Sequence, residues 1–423
     1  MSSETMIAKA YELARQQYGE LGVDTEKAME TLSRVSLSLH CWQGDDVGGF
    51  EKPAAVLSGG GIQVTGNYLG KARTIDELRS DLKKAYSLIP GSHRLNLHAM
   101  YGEFGGKNVD RHEIKPEHFR GWIDWAKQEH LKLDFNATCF SHPKANSGYT
   151  LSSKDKSVRE FWIEHVKRCR TISAVMGREL TSPCIHNLWI PDGSKDMPVD
   201  RLTHRALLTE SLDDIYAKSY DPSVMKDSVE SKLFGIGSEA FVVGSHEFYF
   251  GYALSRRKML CLDMGHFHPT ESVADKVSSI LQFFDELLLH VSRGVRWDSD
   301  HVVILNDEVR ALAEEIVRCN ALGRVHIALD FFDATLNRVG AWVIGAHSTL
   351  KALLAALLQP NAKLREYENE RNYFARLSLL EEARALPFGT VWDYYCLKRN
   401  VPTGEDWIND VRNYERDVLN RRF

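Results

Sequence analysis

The chain has 423 residues, 43% of them hydrophobic and 26% charged, which is the composition of an ordinary soluble globular protein. A formal net charge of −5, without any long basic block, argues against a nucleic-acid-binding protein. The mixed-charge N-terminal segment predicts no secretory signal, and no run approaches the roughly 18 to 20 uncharged apolar residues of a membrane span.

Seven cysteines are scattered along the chain, and none belongs to a Cys-x-x-Cys pair. An odd number without paired spacing indicates reduced thiols rather than a disulfide framework. We therefore expect a cytoplasmic protein that binds neither a membrane nor a nucleic acid.

In chain order, a helical segment over residues 4–33 precedes a series of short apolar runs. Each run is rich in Leu, Ile, Val or aromatic residues, as buried parallel strands are. Eight strands are predicted in this way, over residues 35–42, 94–101, 131–140, 184–190, 228–236, 258–265, 287–292 and 324–332.

Helical patterns separate these strands, as in residues 116–130, where apolar side chains recur every three or four positions. Alternating strands and helices predict a parallel sheet, and eight such units predict closure into a (β/α)8 TIM barrel of the α/β class. Residues 1–345 are thus expected to form a barrel catalytic domain with an N-terminal helix. Residues 346–423 read as a helical C-terminal extension, broken at Pro360, Pro387 and Pro402, that we expect to make oligomer contacts.

The later strands end in residue types that bind metals. From Glu230 the spacing to Asp263, His290 and Asp330 is 33, 27 and 40 residues, which fits consecutive βα units of a barrel. Further groups of this kind follow these strand ends: Lys232, His266, His268, Asp298, Asp300 and Asp333. Carboxylates and imidazoles are costly at the end of a buried strand unless something pairs with them.

Each group alone has a simpler interpretation. Glu230 and Lys232 could form a buried ion pair, Asp330 could cap a helix, and Asp298 with Asp300 could belong to a solvated acidic loop. His268 could orient a neighbouring ligand rather than bind a metal itself.

Taken together, the groups lie on the face where barrel enzymes have their active sites. Five carboxylates and several imidazoles that converge there would repel one another or stay protonated without cations. Oxygen and nitrogen ligands without thiolate favour Mn²⁺, Mg²⁺, Co²⁺ or Zn²⁺, and the number of ligands suggests two metal ions.

At these residues the sequence strongly resembles the L-rhamnose isomerase family. The similar segments cover essentially the whole chain: HCWQGDDVGGFE (40–51), GKAR (70–73), LIPG (88–91), RLNLHAMY (94–101), WIPDG (189–193), ESKLFGIG (230–237), LDMGHFHPTE (262–271), LLLHVSRGVRWDSDHVV (287–303) and LDFFDA (329–334).

The resemblance implies two divalent cations per subunit, with Mn²⁺ the expected ion and Co²⁺, Zn²⁺ or Mg²⁺ as alternatives. The firmly held ion would be bound by Glu230, Asp263, His290 and Asp330. The second ion would be bound by His266, Asp298 and Asp300, with Asp263 shared between the two sites. His268 and Asp333 then become supporting residues.

The resemblance also implies a sugar pocket with Lys232 and His98 as substrate contacts and Trp42 and Trp189 as apolar walls, although both tryptophans could simply be core aromatics. Asp330, Lys232 and His98 are the expected catalytic residues. The family is typically homotetrameric. The Gly-rich stretch 102–110 and His186 receive no assignment.

The implied reaction is the reversible conversion of the aldose L-rhamnose into the ketose L-rhamnulose. A metal-assisted 1,2-hydride shift is favoured over proton abstraction, for which Asp330 or His98 would be the base. Three alternatives remain: an isomerase with another preferred sugar, a barrel metal-dependent phosphoesterase, and a non-catalytic metal- or sugar-binding protein.

Overall fold

A computed structural model of the chain describes residues 3–51, 64–234, 240–295 and 300–422. Eight parallel strands form a closed barrel in the order β1-β2-β3-β4-β6-β8-β9-β10, and β10 pairs with β1 to close it. The barrel strands are β1 Ser36–His40, β2 Ser92–His98, β3 Lys132–Asn136, β4 Cys184–Leu188, β6 Met225–Glu230, β8 Met259–Asp263, β9 Leu287–Val291 and β10 Val325–Leu329. The two remaining strands, β5 Gly193–Ser194 and β7 Phe241–Val242, pair antiparallel outside the barrel.

The predicted (β/α)8 barrel is therefore confirmed, and each of the eight predicted strands overlaps one barrel strand. Every residue of β4, β8 and β9 is buried, as expected for strands covered on both faces. Several strands end earlier than the apolar runs suggest. In particular, β3 stops at Asn136, and the apolar residues that follow it form a loop over the carboxyl end of the barrel.

Helices surround the barrel and form both ends of the chain. They are α1 Ser3–Glu20, α2 Thr25–Ser33, α3 Ile75–Tyr86, α4 Arg120–Gln128, α5 Lys156–Leu180, α6 Arg201–Tyr216, α7 His246–Arg256, α8 Ala274–Ile280, α9 Asp307–Arg318, α10 Arg338–Leu357, α11 Asn361–Asn369, α12 Tyr373–Arg384, α13 Phe388–Lys398 and α14 Asp406–Asp417. Side-chain caps fix several starts, for example Asp155 for α5 and Asn306 for α9. The helix α8 is short, since it ends at Ile280 and the chain enters β9 at Leu287.

The apolar core consists of two parts. The larger part lies between the strands and the helices and includes the fully buried Trp122, Trp162 and Trp342. A small second cluster, formed by Ile185, Met259, Cys261, Leu288 and Ala328, is separate from it. Its members come from β4, β8, β9 and β10 and alternate along these strands with residues of the larger cluster, so they fill the barrel interior.

The helix α10 is apolar and long enough, by composition alone, to span a membrane. In the structure, 83% of its most apolar 18-residue window is buried inside the molecule. Trp342 from this helix donates a hydrogen bond from Nε1 to the carbonyl oxygen of His40, 2.8 Å away. Its burial and contacts therefore identify α10 as a core helix that packs on the barrel.

Of the C-terminal helices, α13 and α14 pack on α10, which itself runs across residue 345, and α11 packs on α12. The helix α13 packs on α1, and Tyr11 of α1 stacks on Tyr394 of α13 with ring centroids 3.8 Å apart. In contrast, α12 has no buried residue. The division of the chain near residue 345 remains a prediction.

Candidate metal centre and sugar pocket

A polar residue lies at, or within one residue of, the carboxyl end of every barrel strand. In strand order these residues are His40, His98, Asn136, Asn187, Glu230, Asp263, His290 and Asp330. Parallel barrel strands deliver their carboxyl ends to one face, so eight polar side chains share one end of the barrel. The remaining interior positions of β4, β8, β9 and β10 carry the small apolar cluster, which forms the floor beneath them.

A pocket opens at this end of the barrel and contains about 450 Å³ of space, part of it open to solvent. Its lining combines acids, imidazoles, amides and one lysine with four aromatic or aliphatic residues. The lining residues are Trp42, Val47, His98, Asn136, Asn187, Trp189, Glu230, Lys232, His266, His290, Asp300, Asp330 and Phe332.

Four of the predicted ligands form one cluster. The ligand atoms of Glu230, Asp263, His290 and Asp330 all lie within 4.8 Å of one another. Nδ1 of His290 lies at the centre of this cluster. It is 3.1 Å from Asp330 Oδ2, 3.4 Å from Glu230 Oε2 and 3.6 Å from Asp263 Oδ2. Three of the four side chains are almost fully buried. The structure thus brings together the complete set expected for the firmly held ion.

The charges in this cluster strongly affect one another. Burial opposes the protonation of His290, but the adjacent Cys261, Glu230 and two aspartates outweigh it and raise the pKa of the imidazole well above its ordinary value. Burial likewise opposes the ionisation of Glu230, yet His290 and His266 hold the pKa of this carboxyl well below its ordinary range. The carboxylates therefore require a positive charge among them, from a proton or from a cation.

A second cluster adjoins the first through Asp263. Ligand atoms of Asp263, His266 and Asp300 lie within 4.8 Å of one another. Nδ1 of His266 lies 2.9 Å from the carbonyl oxygen of Ser231, and because a carbonyl can only accept, Nδ1 carries the proton and Nε2 keeps the lone pair. Asp298, the other ligand expected here, lies outside the described residues.

Asp263 is held in place by its neighbours. Its Oδ1 accepts hydrogen bonds from the Gly265 N–H, at 2.6 Å, and from Ser292 Oγ, at 2.9 Å. Among the described residues, its Oδ2 has no hydrogen-bond donor, although it is buried. One oxygen is thus fixed by the protein and the other is available to a ligand that is not protein.

These donors fit divalent cations. They are carboxylate oxygens and imidazole nitrogens, which suit Mn²⁺, Co²⁺, Zn²⁺ and Mg²⁺. Asp263 Oδ2 and both ring nitrogens of His290 are buried without a hydrogen-bond partner in the part of the chain that the structure describes. Buried polar atoms of this kind require an explanation, and bound cations supply one. Cys261 also lies near Glu230 and His290, but burial raises the pKa of its thiol.

The predicted sugar-contacting residues all line the same pocket. Trp42 and His98 meet edge to face with centroids 4.8 Å apart. Nζ of Lys232 lies 4.9 Å from the ring centroid of Trp189 and 2.9 Å from His266 Nε2. Burial, followed by the charge of Arg111, lowers the pKa of His98 to about 3, so this imidazole is neutral at physiological pH.

Several residues of the site escaped the sequence analysis. Asn136 and Asn187 line the pocket, and Asn187 donates a hydrogen bond from Nδ2 to Glu230. They satisfy the same criterion as the acids, a polar side chain at the end of a buried strand, which could have identified them. Thr138 and Phe140, in the loop after β3, contact His98 and carry no comparable signal.

Other polar residues from the sequence analysis have structural roles. His268 is exposed, and its Nδ1 lies 2.7 Å from Thr270 Oγ1. Asp333 joins two strand ends, because its carbonyl oxygen accepts a hydrogen bond from Gln43 Nε2 at 2.8 Å. The unassigned His186 is fully buried beside Asp227, with Nδ1 3.5 Å from Oδ1, in a cluster that also contains Arg170.

Trp42 supports Asp330 through a hydrogen bond, which gives a testable prediction. Trp42 Nε1 donates to Asp330 Oδ1 at 3.0 Å. The Trp42→Phe variant keeps an aromatic wall but loses this donor, so we expect metal affinity to fall about 10- to 100-fold, as for other groups that orient a ligand. Competition with a chelator measures this change.

The matched control for that variant is Trp189→Phe. The Nε1 of Trp189 is buried and has no partner among the described residues. This replacement should therefore change KM for the sugar and leave metal affinity within about twofold, since no bond to a ligand is lost. Equal metal affinity in the two variants would contradict the role given to Trp42.

Comparison with known proteins shows the family to which the chain belongs. The chain matches the L-rhamnose isomerase (RhaA) family over residues 5–422. It is 58% identical over 416 residues to the L-rhamnose isomerase of Rhodopirellula baltica, covering 98% of this chain and 97% of that protein. It is also 58% identical over 422 residues to the L-rhamnose isomerase of Bacteroides thetaiotaomicron, with full coverage of both.

Among solved structures, similar chains include an L-ribulose 3-epimerase, with a TM-score of 0.45, 11% identity, and coverage of 78% of this chain and 96% of that one. A D-allulose 3-epimerase from Methylomonas sp. gives a TM-score of 0.46 and 10% identity, covering 78% and 98%. The sequence matches extend over essentially the whole chain. The chain therefore belongs to the L-rhamnose isomerase family.

Proposed function

We propose that this chain interconverts L-rhamnose and L-rhamnulose in the pocket at the carboxyl end of the barrel. The family is one of aldose–ketose isomerases, and one observation in particular supports the assignment of the pocket. Two clusters of metal-ligand side chains share Asp263 and open into a single cavity that also holds Lys232, His98 and two tryptophans. An aldose–ketose isomerase of this type has to hold two adjacent sugar oxygens beside such a centre.

Two divalent cations are proposed, with Mn²⁺ as the ion used and Co²⁺, Zn²⁺ or Mg²⁺ as alternatives. Glu230, Asp263, His290 and Asp330 would hold one, and Asp263, His266, Asp298 and Asp300 the other. When bound, the ions would polarise the oxygens on C1 and C2 and stabilise negative charge on them, which allows hydrogen to move from C2 to C1.

The side chains around the sugar have separate tasks in this proposal. Trp42 and Trp189 form apolar walls that exclude water from one side of the pocket. Lys232 donates a hydrogen bond to a sugar oxygen and adds positive charge near it. His98 is neutral, so one ring nitrogen can accept a hydrogen bond from a sugar hydroxyl near the reacting carbons.

A hydride shift is the proposed route, and an isotope experiment tests it. The pocket contains imidazoles and carboxylates that would act as bases if hydrogen moved as a proton, above all Asp330 and His98. In D₂O, a hydride shift should leave less than a few per cent deuterium at C1 of the product, because the migrating hydrogen never exchanges with solvent. Extensive incorporation of deuterium, measured by NMR during turnover, would rule out the hydride route.

Metal removal and a sugar panel test the assignment of the substrate. The metal-stripped protein should be inactive, and Mn²⁺ should restore the formation of ketose from L-rhamnose. The panel should include D-allose and L-lyxose, since another preferred sugar is the main alternative. Absence of activity on L-rhamnose with Mn²⁺, Co²⁺, Mg²⁺ and Zn²⁺ would refute the proposed substrate.

We further propose a cytoplasmic homotetramer in which the helices after residue 345 make intersubunit contacts. Tyr373, Phe374 and Leu377 of α12 are 56%, 84% and 57% exposed in the single chain, which is unusual for adjacent large apolar side chains on one helix. The seven cysteines are free thiols, six of them buried, in keeping with a reducing compartment. Light scattering of the purified protein measures the oligomeric state.

A further inference from the structure

The loop that follows β3 connects His98 to a buried network outside the pocket. Thr138 Oγ1 lies 3.1 Å from His98 Nδ1. The ring of Phe140 meets both His98 and Trp189 edge to face, with centroids 5.5 Å apart in each pair. The position of this loop, residues 137–141, therefore sets the positions of two side chains that face the sugar.

Arg111 fastens the loop from outside. Its Nη1 donates hydrogen bonds to the carbonyl oxygens of Thr138, at 2.6 Å, and of Phe140. Its Nε and Nη2 also donate to the carboxylate of Glu51, at 2.9 to 3.3 Å. Arg111 is only 3% exposed, so these bonds form in a region of low dielectric constant, where charge-assisted hydrogen bonds are strong.

His165 of α5 completes the network from the other side. The Thr138 N–H donates to His165 Nε2 at 3.0 Å, and His165 Nδ1 lies 2.9 Å from the carbonyl oxygen of Arg111. A backbone N–H can only donate and a carbonyl can only accept, so these two contacts require the neutral imidazole with its proton on Nδ1. A protonated ring could not accept from Thr138.

We propose that His165 and Arg111 are positioning residues of the isomerase, which hold Thr138 and Phe140 so that His98 meets the sugar in its reactive orientation. This inference rests on the proposed role of His98 as a substrate contact. Neither residue lines the pocket, so both act through the loop. It also gives a role to the segment just after the Gly-rich stretch 102–110, since Arg111 follows it directly.

A double-mutant cycle between His165 and His98 tests the proposal. The His165→Leu replacement removes the hydrogen bonds with Thr138 and Arg111, and we expect kcat/KM for the sugar to fall about 10- to 100-fold, because small misplacements of catalytic groups have effects of this size. In a His98→Asn background the same replacement should have a clearly smaller effect on kcat/KM, since most of its effect passes through His98 and only the Phe140–Trp189 contact is left to transmit the rest. The conservative His165→Gln variant, which offers one donor and one acceptor, should recover most of the activity.

Two further measurements distinguish positioning from general stabilisation. His347→Leu is the matched control, because His347 is also buried and bonded to a carbonyl, that of Leu88 at 2.8 Å, but lies on α10 away from the pocket. It should lower stability and leave kcat/KM within about twofold. A crystal structure of metal-free His165→Leu should show Thr138 Oγ1 more than about 3.5 Å from His98 Nδ1, beyond hydrogen-bonding distance.

An equal loss of kcat/KM from His165→Leu in both backgrounds, or no loss in the single variant, would overturn the proposal. Should the Leu variant fail to fold, Arg111→Lys replaces it in the same cycle, with the same expectation. The wild-type protein is assayed first. If it converts no sugar of the panel, the proposed function has failed, and the structure of His165→Leu still shows whether His165 holds the loop.

Discussion

The Glu230→Gln variant is expected to lose nearly all isomerase activity and most of its metal affinity. Glu230 touches both ligand clusters, since Oε1 lies 3.0 Å from His266 Nδ1 and Oε2 lies 3.4 Å from His290 Nδ1. Glutamine keeps the shape of the side chain and removes its negative charge. A cation held among carboxylates then loses a directly opposed charge in a buried site, where electrostatic interactions are strong.

The expected loss in kcat/KM is about 10³-fold, which is the upper range for removing one preorganised electrostatic group from an active site. Metal content after dialysis should fall in parallel, and it can be measured by atomic emission without any assay of activity. An unchanged metal content would show that Glu230 does not bind a cation.

A matched control lies at the other end of the barrel. Glu286 precedes β9 and pairs with Lys226 and His326, with His326 Nε2 at 2.8 Å from its Oε2. His326 and Lys226 together lower the pKa of Glu286 to about 2. The pairing therefore contributes stability that is present above the ordinary carboxyl pKa and is lost as the pH falls towards 2. Glu286→Gln should cost some stability at neutral pH and leave kcat/KM within about twofold.

The architecture was accessible from the sequence because a parallel barrel imposes a simple pattern. Each strand is buried on both faces and reads as a short apolar run, while each covering helix shows the 3.6-residue period. The boundaries were less accessible. The run at 131–140 alternates apolar and polar residues along most of its length, yet its second half leaves the barrel to contact His98, and no local pattern marks where the strand ends.

The metal-binding part of the candidate site could also be predicted, since acids and imidazoles at the ends of buried strands have a high free-energy cost of burial unless they bind something. Asparagines at the same positions carry no charge and are less costly to bury, so the sequence does not single out Asn136 and Asn187 as it does the acids. The network of Arg111 and His165 could not be foreseen, because it consists of contacts to backbone atoms of a loop. Such contacts depend on tertiary structure and leave no spacing in the sequence.

The largest effect on stability is expected from the replacement of Arg170 by Leu. Arg170 is fully buried on α5, and its Nε and Nη2 each donate a 2.8 Å hydrogen bond to a different oxygen of Asp227. It also donates to the carbonyl oxygens of Ile215, at 2.6 Å, and Lys218, at 2.9 Å. One side chain thus links α5 to β6, to the last turn of α6 and to the residues just after it.

Removing Arg170 leaves a buried carboxylate without its main counter-charge and two carbonyl groups without donors. Burial opposes the ionisation of Asp227, and His186 and Arg170 are the groups that reverse this effect and hold its pKa well below the ordinary value. Breaking one partner of a buried pair costs about 3–5 kcal/mol. Lys258 remains 3.2 Å from Asp227, which places the expected loss at the lower end of this range, about 3 kcal/mol.

An exposed pair of the same chemistry provides the comparison. Arg256 binds Asp213 with two hydrogen bonds of 3.0 and 3.1 Å, so the geometry resembles that of the buried pair, but both side chains are more than 40% exposed. Arg256→Leu should cost far less stability than Arg170→Leu, because solvent screens the charges and hydrates the remaining carboxylate. Urea denaturation of the metal-free proteins measures both losses without a contribution from bound cations.

Equal losses of stability in the two variants would mean that burial does not set the strength of these ion pairs. A larger loss from Arg170→Leu than from Arg256→Leu would identify the cluster around Asp227 as structural, with kcat/KM of the Arg170→Leu variant preserved below its unfolding transition.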